Sequence, residues 1–210
     1  MVKGYIFDLD GTLLDSQWVW KSTVEELLQG YHIQDIDALY ESLRAFSINE
    51  AIDYIIDRYD LNVNADNIFQ QLSDIVSAKY DHEVSLKEGA YDHLLEFKQE
   101  GKKMVIATAS EYDFIVPCLK RVGIFDLMDA IITTSQYHTT KKETVIYDKA
   151  CELMGLSKEE VIVFEDAMHA IETLRNAQYQ VYAIYDEDEA ANQDKIRQLA
   201  NCYLESWLQF

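Results

Sequence analysis

Apolar positions along this chain follow two rhythms. Short runs rich in Val and Ile occur at Val2–Phe7, Met104–Ala107, Ala130–Thr133, Val161–Phe164 and Val181–Ile184, and they do not alternate with polar residues. Unbroken runs of this kind predict strands buried on both faces, the habit of a parallel sheet. Between most of them the apolar residues recur at helical spacing. Helices are predicted over Glu88–Glu100, Tyr112–Val122, Thr144–Met154 and Ala167–Ala177. The first three run into Gly101, Gly123 and Gly155, and a glycine just past the last periodic residue is a helix stop. This strand–helix alternation predicts an α/β fold with a doubly wound, Rossmann-like parallel sheet.

The block from Trp18 to Val84 breaks the alternation. It holds no convincing strand, and its apolar residues, as at Ala51, Ile52, Ile55, Ile56 and Tyr59, keep helical spacing. It lies between the first two strands of the predicted sheet. The expected organisation is therefore an α/β catalytic core of residues 1–16 and 85–210 with a helical cap of residues 17–84 threaded into it. A mobile lid in that position is a usual arrangement for excluding water and selecting a substrate. Trp18 and Trp20 are expected in the core of the cap.

Composition narrows the partners. Among 210 residues, 38 acidic side chains face 18 basic ones, for a formal charge of −20. Such a surface repels nucleic acid and anionic membranes. It also repels phosphorylated substrates, so an enzyme for them needs a cation and a well-placed lysine. No apolar run approaches the roughly 18 residues of a spanning helix, and "MVKGYIF" lacks the features of a signal peptide. Cys118, Cys151 and Cys202 are scattered and odd in number, which fits neither a disulfide framework nor a zinc site; they are expected in apolar surroundings. A cytoplasmic monomer or weak dimer is expected, binding neither nucleic acid nor membrane. His138 and His169 are expected at the surface.

Candidate chemistry clusters at predicted strand ends. In "YIFDLDGTLLDS", residues 5–16, the first strand stops at Asp8, and Asp10 follows two residues on. Residues i and i+2 of an extended segment point the same way, so both carboxylates can converge beyond the strand, where Gly11 permits a sharp turn. Ligands of open α/β sheets bind at that edge. Paired carboxylates there can bind Mg²⁺, or divide into a nucleophile and an acid/base. A calcium loop starting at Asp8 is excluded, because it requires Gly and Glu where Leu13 and Val19 stand. Thr108 ends a second strand; with Ala109 and Ser110 before a helix, it can offer a hydroxyl and backbone N–H groups to a phosphate. Lys141 and Lys142 precede a helix, and one of them can reach the same edge. Asp166 either caps the helix that follows it or completes a metal site.

"FDLDGTLLDS" resembles the first motif of the haloacid dehalogenase superfamily. "VIATAS" at 105–110, "KKETVIY" at 141–147 and "VIVFEDAMHAI" at 161–171 are similar to its second, third and fourth motifs, in the expected order. The helical block resembles the small cap of the β-phosphoglucomutase-like branch. The resemblance implies a phosphatase of small phosphorylated metabolites with Asp8 as nucleophile and Asp10 as acid/base. It implies Mg²⁺ held by Asp8, the backbone carbonyl of Asp10 and Asp166, with phosphate held by Thr108, Ala109 and Lys141. Lys141 is preferred to Lys142 because the family spacing then ends on Tyr147. Glu165 is implied to orient Lys141 or a metal-bound water.

The alternatives are a sugar phosphomutase and a catalytically idle protein on the same fold. Against the mutase, Trp20 stands where the resembling mutases carry a histidine, and their cap arginine falls near Ile48, with Arg44 close by. The family's fourth motif also carries glycines where Ala170 and Gln178 stand here, and its third has a proline at the position of Lys142.

Overall fold

The structure, a computed structural model, describes the chain except residues 34, 35, 44, 45 and 47, and describes residues 37, 38, 41 and 48 without their side chains. Arg44 therefore lies outside the described residues, as does the side chain of Ile48. The chain divides into two compact units, residues 1–16 with 84–210, and residues 17–83.

The first unit is built on a six-stranded parallel sheet. Its strands are β1 (Gly4–Phe7), β4 (Lys103–Thr108), β5 (Ala130–Thr133), β6 (Val161–Glu165), β7 (Gln180–Ile184) and β8 (Cys202–Leu204), in the order β5-β4-β1-β6-β7-β8. Two further short strands, β2 (Leu14–Asp15) and β3 (Ser85–Leu86), pair antiparallel where the chain leaves and re-enters this unit. Helices α5 (Ala90–Gln99), α6 (Tyr112–Arg121), α7 (Val145–Met154), α8 (Met168–Asn176) and α9 (Gln193–Leu199) complete it. From β1 the strands step outward to β4 and β5, then resume on the other side of β1 with β6. Strand order thus reverses at the β1–β6 pair, where open α/β sheets form their ligand crevice.

Burial explains why these strands read as apolar runs: every residue of β1 and β6 is buried, as are Met104–Thr108 of β4. One face packs Ile6, Val105, Val163 and Val181 against Ile146, Ala150 and Ile171 of α7 and α8. The other face is aromatic. Tyr5 and Phe7, two residues apart and so on one side of β1, meet Phe97, Phe164 and Trp207. The strand β8 and the helix α9 were not anticipated from the sequence.

The second unit contains α1 (Trp18–Gly30), α2 (Ile36–Leu43), α3 (Ile48–Tyr59) and α4 (Ala65–His82), with no strand among the described residues. Their apolar stripes meet in two clusters, Val24, Leu28, Leu39, Leu43 and Ile55, and Leu27, Ile52, Ile68 and Leu72. The expectation of Trp18 as core is corrected, since its side chain lies exposed with the Lys79 ammonium 5.8 Å from its ring centroid. Trp20 is half-buried, and Val19 beside it is fully buried. No helix among the described residues is long and apolar enough to cross a membrane.

Candidate active site

The C-terminal ends of β1 and β6 bring Asp8, Glu165 and Asp166 together, and Lys141, from the segment between β5 and α7, joins them. The Asp8 N–H donates to the Phe164 carbonyl at 2.9 Å, continuing the β1–β6 ladder one step beyond Phe7. This fixes the Asp8 backbone beside the end of β6, where Glu165 and Asp166 stand. Gly11, at φ +86°, turns the chain back, and its N–H donates to the Leu14 carbonyl. An L side chain is disfavoured in that left-handed conformation.

Asp8, Glu165 and Asp166 offer carboxylate oxygens within 4.8 Å of one another, all three buried. Lys141 is buried with them and donates through Nζ to Asp8 Oδ1 and, at 2.5 Å, to Glu165 Oε1. Lys142 is exposed, so Lys141 is the lysine that enters the site. Glu165 is held on both oxygens by the protein. Oε1 also accepts from the Tyr147 hydroxyl at 3.1 Å, and Oε2 accepts from the backbone N–H groups of Asp166 and Ala167 at 2.9 and 3.0 Å. Such a carboxylate is an anchor for Lys141, and the aromatic at 147 belongs to the same anchor.

Crowding sets the protonation behaviour. Burial first, then the charges of Asp8 and Glu165, push the Asp166 carboxyl well above the usual carboxylate range. Burial also raises Asp8, against the opposing pull of Lys141. For Lys141, burial alone would lower its pKa, but Asp8 and Glu165 together hold it well above the usual lysine range, so it stays a cation. Three carboxylates against one ammonium leave a formal excess of two negative charges in a buried space.

That donor set fits a hard divalent cation such as Mg²⁺: the ligands are oxygens, close together, and over-charged without a partner. Asp8 and Asp166 are the side chains suited to hold it, because the oxygens of Glu165 are already engaged by protein donors. Asp10 contributes no side chain to the cluster. Its Oδ1 accepts from Ser16 Oγ at 2.6 Å and its Oδ2 from Ser110 Oγ at 2.5 Å. Of Asp10, only the backbone carbonyl remains as the expected metal donor.

Thr108, at the end of β4, is buried, and its Oγ1 accepts from the Ser110 N–H at 3.0 Å. The Ser110 N–H is therefore already used, which narrows the expectation of phosphate-binding amides to Ala109, an exposed residue. His138 and His169 are exposed, whereas Cys118 and Cys151 are buried and Cys202 half-buried. Several contacts were not read from the sequence: the Ser16 and Ser110 clamp on Asp10, the bond at 2.9 Å from Thr12 Oγ1 to Asp166 Oδ1, and the role of Tyr147. The signals available for them were hydroxyl-bearing residues inside or beside the motif segments, with Tyr147 also marked by its spacing from Lys141.

The family model described as haloacid dehalogenase-like hydrolase matches residues 5–184. The chain is 24% identical over 193 residues to a phosphoglycolate phosphatase of Thiobacillus denitrificans, covering 87% of this chain and 83% of that protein. It is 19% identical over 176 residues to a phosphorylated carbohydrates phosphatase of Thermotoga maritima, covering 84% and 82%. Among solved structures, a β-phosphoglucomutase from Clostridium difficile superposes with a TM-score of 0.75 at 19% identity, over 100% of this chain and 93% of that one. The last is a likeness of fold.

Proposed function

The chain belongs to the haloacid dehalogenase-like hydrolase family, as a phosphatase of phosphate esters, and we propose that it hydrolyses a small phosphorylated metabolite through an aspartyl-phosphate on Asp8. The observation that carries this reading is the buried group of Asp8, Lys141, Glu165 and Asp166 at the strand-order reversal. Asp8 is the member of that group that directly follows β1, two residues before Asp10.

In the first half-reaction, an Asp8 carboxylate oxygen attacks phosphorus, and the bond from phosphorus to the ester oxygen breaks. Asp10 gives its proton to that leaving oxygen. In the second, water attacks the phosphorus of the acyl phosphate, Asp10 takes a proton from it, and the bond to Asp8 breaks to release phosphate. Ser16 and Ser110 hold the Asp10 carboxylate between the two steps. Lys141 and the Thr108 hydroxyl hold the charge spread over the transferred group. Glu165 and Tyr147 keep Lys141 aimed at Asp8. Asp8, Asp166 and the Asp10 carbonyl would hold Mg²⁺, which would supply charge to offset the repulsion between carboxylate and phosphate.

Hydrolysis is favoured over phosphoryl transfer within a sugar, because Trp20 has no titratable group where the mutases carry a histidine. The names of the relatives support a small phosphorylated acid or carbohydrate as substrate. The formal charge of −20 supports a monomer or weak dimer that binds neither nucleic acid nor anionic membrane, and the three free cysteines fit a cytoplasmic location. The test is phosphate release from a panel of phosphorylated metabolites, with Mg²⁺ and after chelation. Turnover of one subset that stops on chelation is expected. No turnover on any ester refutes the reading, and full rate after chelation refutes its metal.

A further inference from the structure

Thr12 is tied from two directions. Its hydroxyl donates to Asp166 Oδ1, and its backbone carbonyl accepts the indole N–H of Trp207 at 2.9 Å, across 195 residues of chain. Trp207 opens a 3₁₀ turn, Trp207–Gln209, and is fully buried. Its ring centroid lies 4.7 Å from that of Phe164 and 6.2 Å from that of Phe7. Those two rings immediately precede Glu165–Asp166 and Asp8. One side chain thus touches both strands that end in the carboxylate group, and also holds the turn residue that holds Asp166.

The surroundings of Trp207 are built to receive it. Gly89 sits at φ +86°, and a Cβ there would come within 3.2 Å of the Trp207 Cβ and the Leu208 nitrogen. A ring nitrogen of His93, Nε2, bonds the Trp207 carbonyl at 2.8 Å; since a carbonyl only accepts, Nε2 carries the proton. A buried indole N–H needs an acceptor, whereas the aromatic packing alone would accept Phe. The acceptor it has is in the turn between Asp8 and the rest of the first motif.

We propose that Trp207 is a positioning residue for the cation site: through Thr12 it sets the orientation of Asp166. This inference rests on Asp8 and Asp166 holding Mg²⁺. Partners behind a metal ligand cost about 10- to 100-fold in metal affinity when removed. Trp207 acts through one further link, so the low end of that range is expected.

The test is calorimetric titration of the full chain with MgCl₂. Trp207→Phe keeps the ring and loses the N–H, and should bind Mg²⁺ about tenfold more weakly. Thr12→Val should also weaken binding. The double variant should bind no more weakly than the weaker single one, because both changes cut one path. Phe97→Leu trims the same aromatic cluster without touching Thr12; it should lower thermal stability and leave Mg²⁺ affinity unchanged. Unchanged affinity in Trp207→Phe, additive losses in the double variant, or equal weakening in Phe97→Leu would each overturn the proposal while the metal site stands. Absence of Mg²⁺ binding in the parent chain would overturn both. A second measurement needs no change at position 207. In a Trp18→Phe, Trp20→Phe background, the single remaining indole N–H resonance should shift as Mg²⁺ fills the site. A resonance that stays put through saturation also overturns it.

Discussion

Asp166→Asn isolates the consequence of crowding three carboxylates into a buried space. The oxygens of Asp8, Glu165 and Asp166 lie within 4.8 Å of one another. At an effective dielectric of about 20, two unit charges at that separation repel by about 3.5 kcal/mol. Asp166 takes part in two such pairs. Lys141, bonded to both Asp8 and Glu165, returns part of this, and proton uptake by the raised Asp166 carboxyl caps the rest. Asn keeps an amide oxygen to accept the Thr12 hydroxyl. A net stabilisation of the metal-free protein by about 2 kcal/mol follows, or about 4–8 °C in Tm for a chain of this size. The pH dependence has a definite sign. A carboxyl raised in the fold binds its proton more tightly folded than unfolded. Its contribution to stability is complete below its unfolded value of about 4 and is lost as pH rises through its folded value. The advantage of Asp166→Asn should therefore grow from about pH 4 upward until Asp166 is fully ionised in the parent. The assay is thermal unfolding of parent and variant across pH, with chelator and with Mg²⁺. The parent should gain stability on adding Mg²⁺, and the variant should not. A metal-free variant less stable than the parent at neutral pH would refute the crowding argument.

Removing Lys141 with Lys141→Met should abolish turnover and cost about 3–5 kcal/mol of stability, because Asp8 and Glu165 are left as buried, uncompensated charges; Lys142→Ala, at an exposed position, should change neither, as steady-state assay and chemical denaturation would show. Gln178→Gly should raise stability by about 0.5–1 kcal/mol, since Gln178 sits at φ +67°, a conformation that costs a side-chain-bearing residue more than glycine gains in unfolded freedom; an unchanged or lower denaturation midpoint would count against that balance.

The sheet was legible because buried parallel strands leave unbroken Val and Ile runs, and β1 and β6 are buried at every residue. Strand β8 was not, being three residues with only Leu204 buried, so its sequence carries no run. The strand-end carboxylates were legible because a charge directly after an apolar run has few structural reasons to be there. Their partners were not. Thr12 and Trp207 are bound across 195 residues, and Asp10 and Ser110 across 100, distances over which no periodicity connects them. Gln178 shows the opposite case. The resemblance implies glycine at that point, and the backbone takes the left-handed turn there although the side chain opposes it.

The central claim is that Asp8 carries the phosphoryl group. Acid-quenched turnover of an aryl phosphate with Mg²⁺, followed by mass-spectrometric mapping of the peptides, tests it most directly. One phosphoryl group should appear on the peptide containing Asp8 and be absent from Asp8→Asn, which should fold and fail to turn over. Phosphate release by Asp8→Asn at a near-normal rate, or a phosphoryl group trapped on a different residue, would contradict the account.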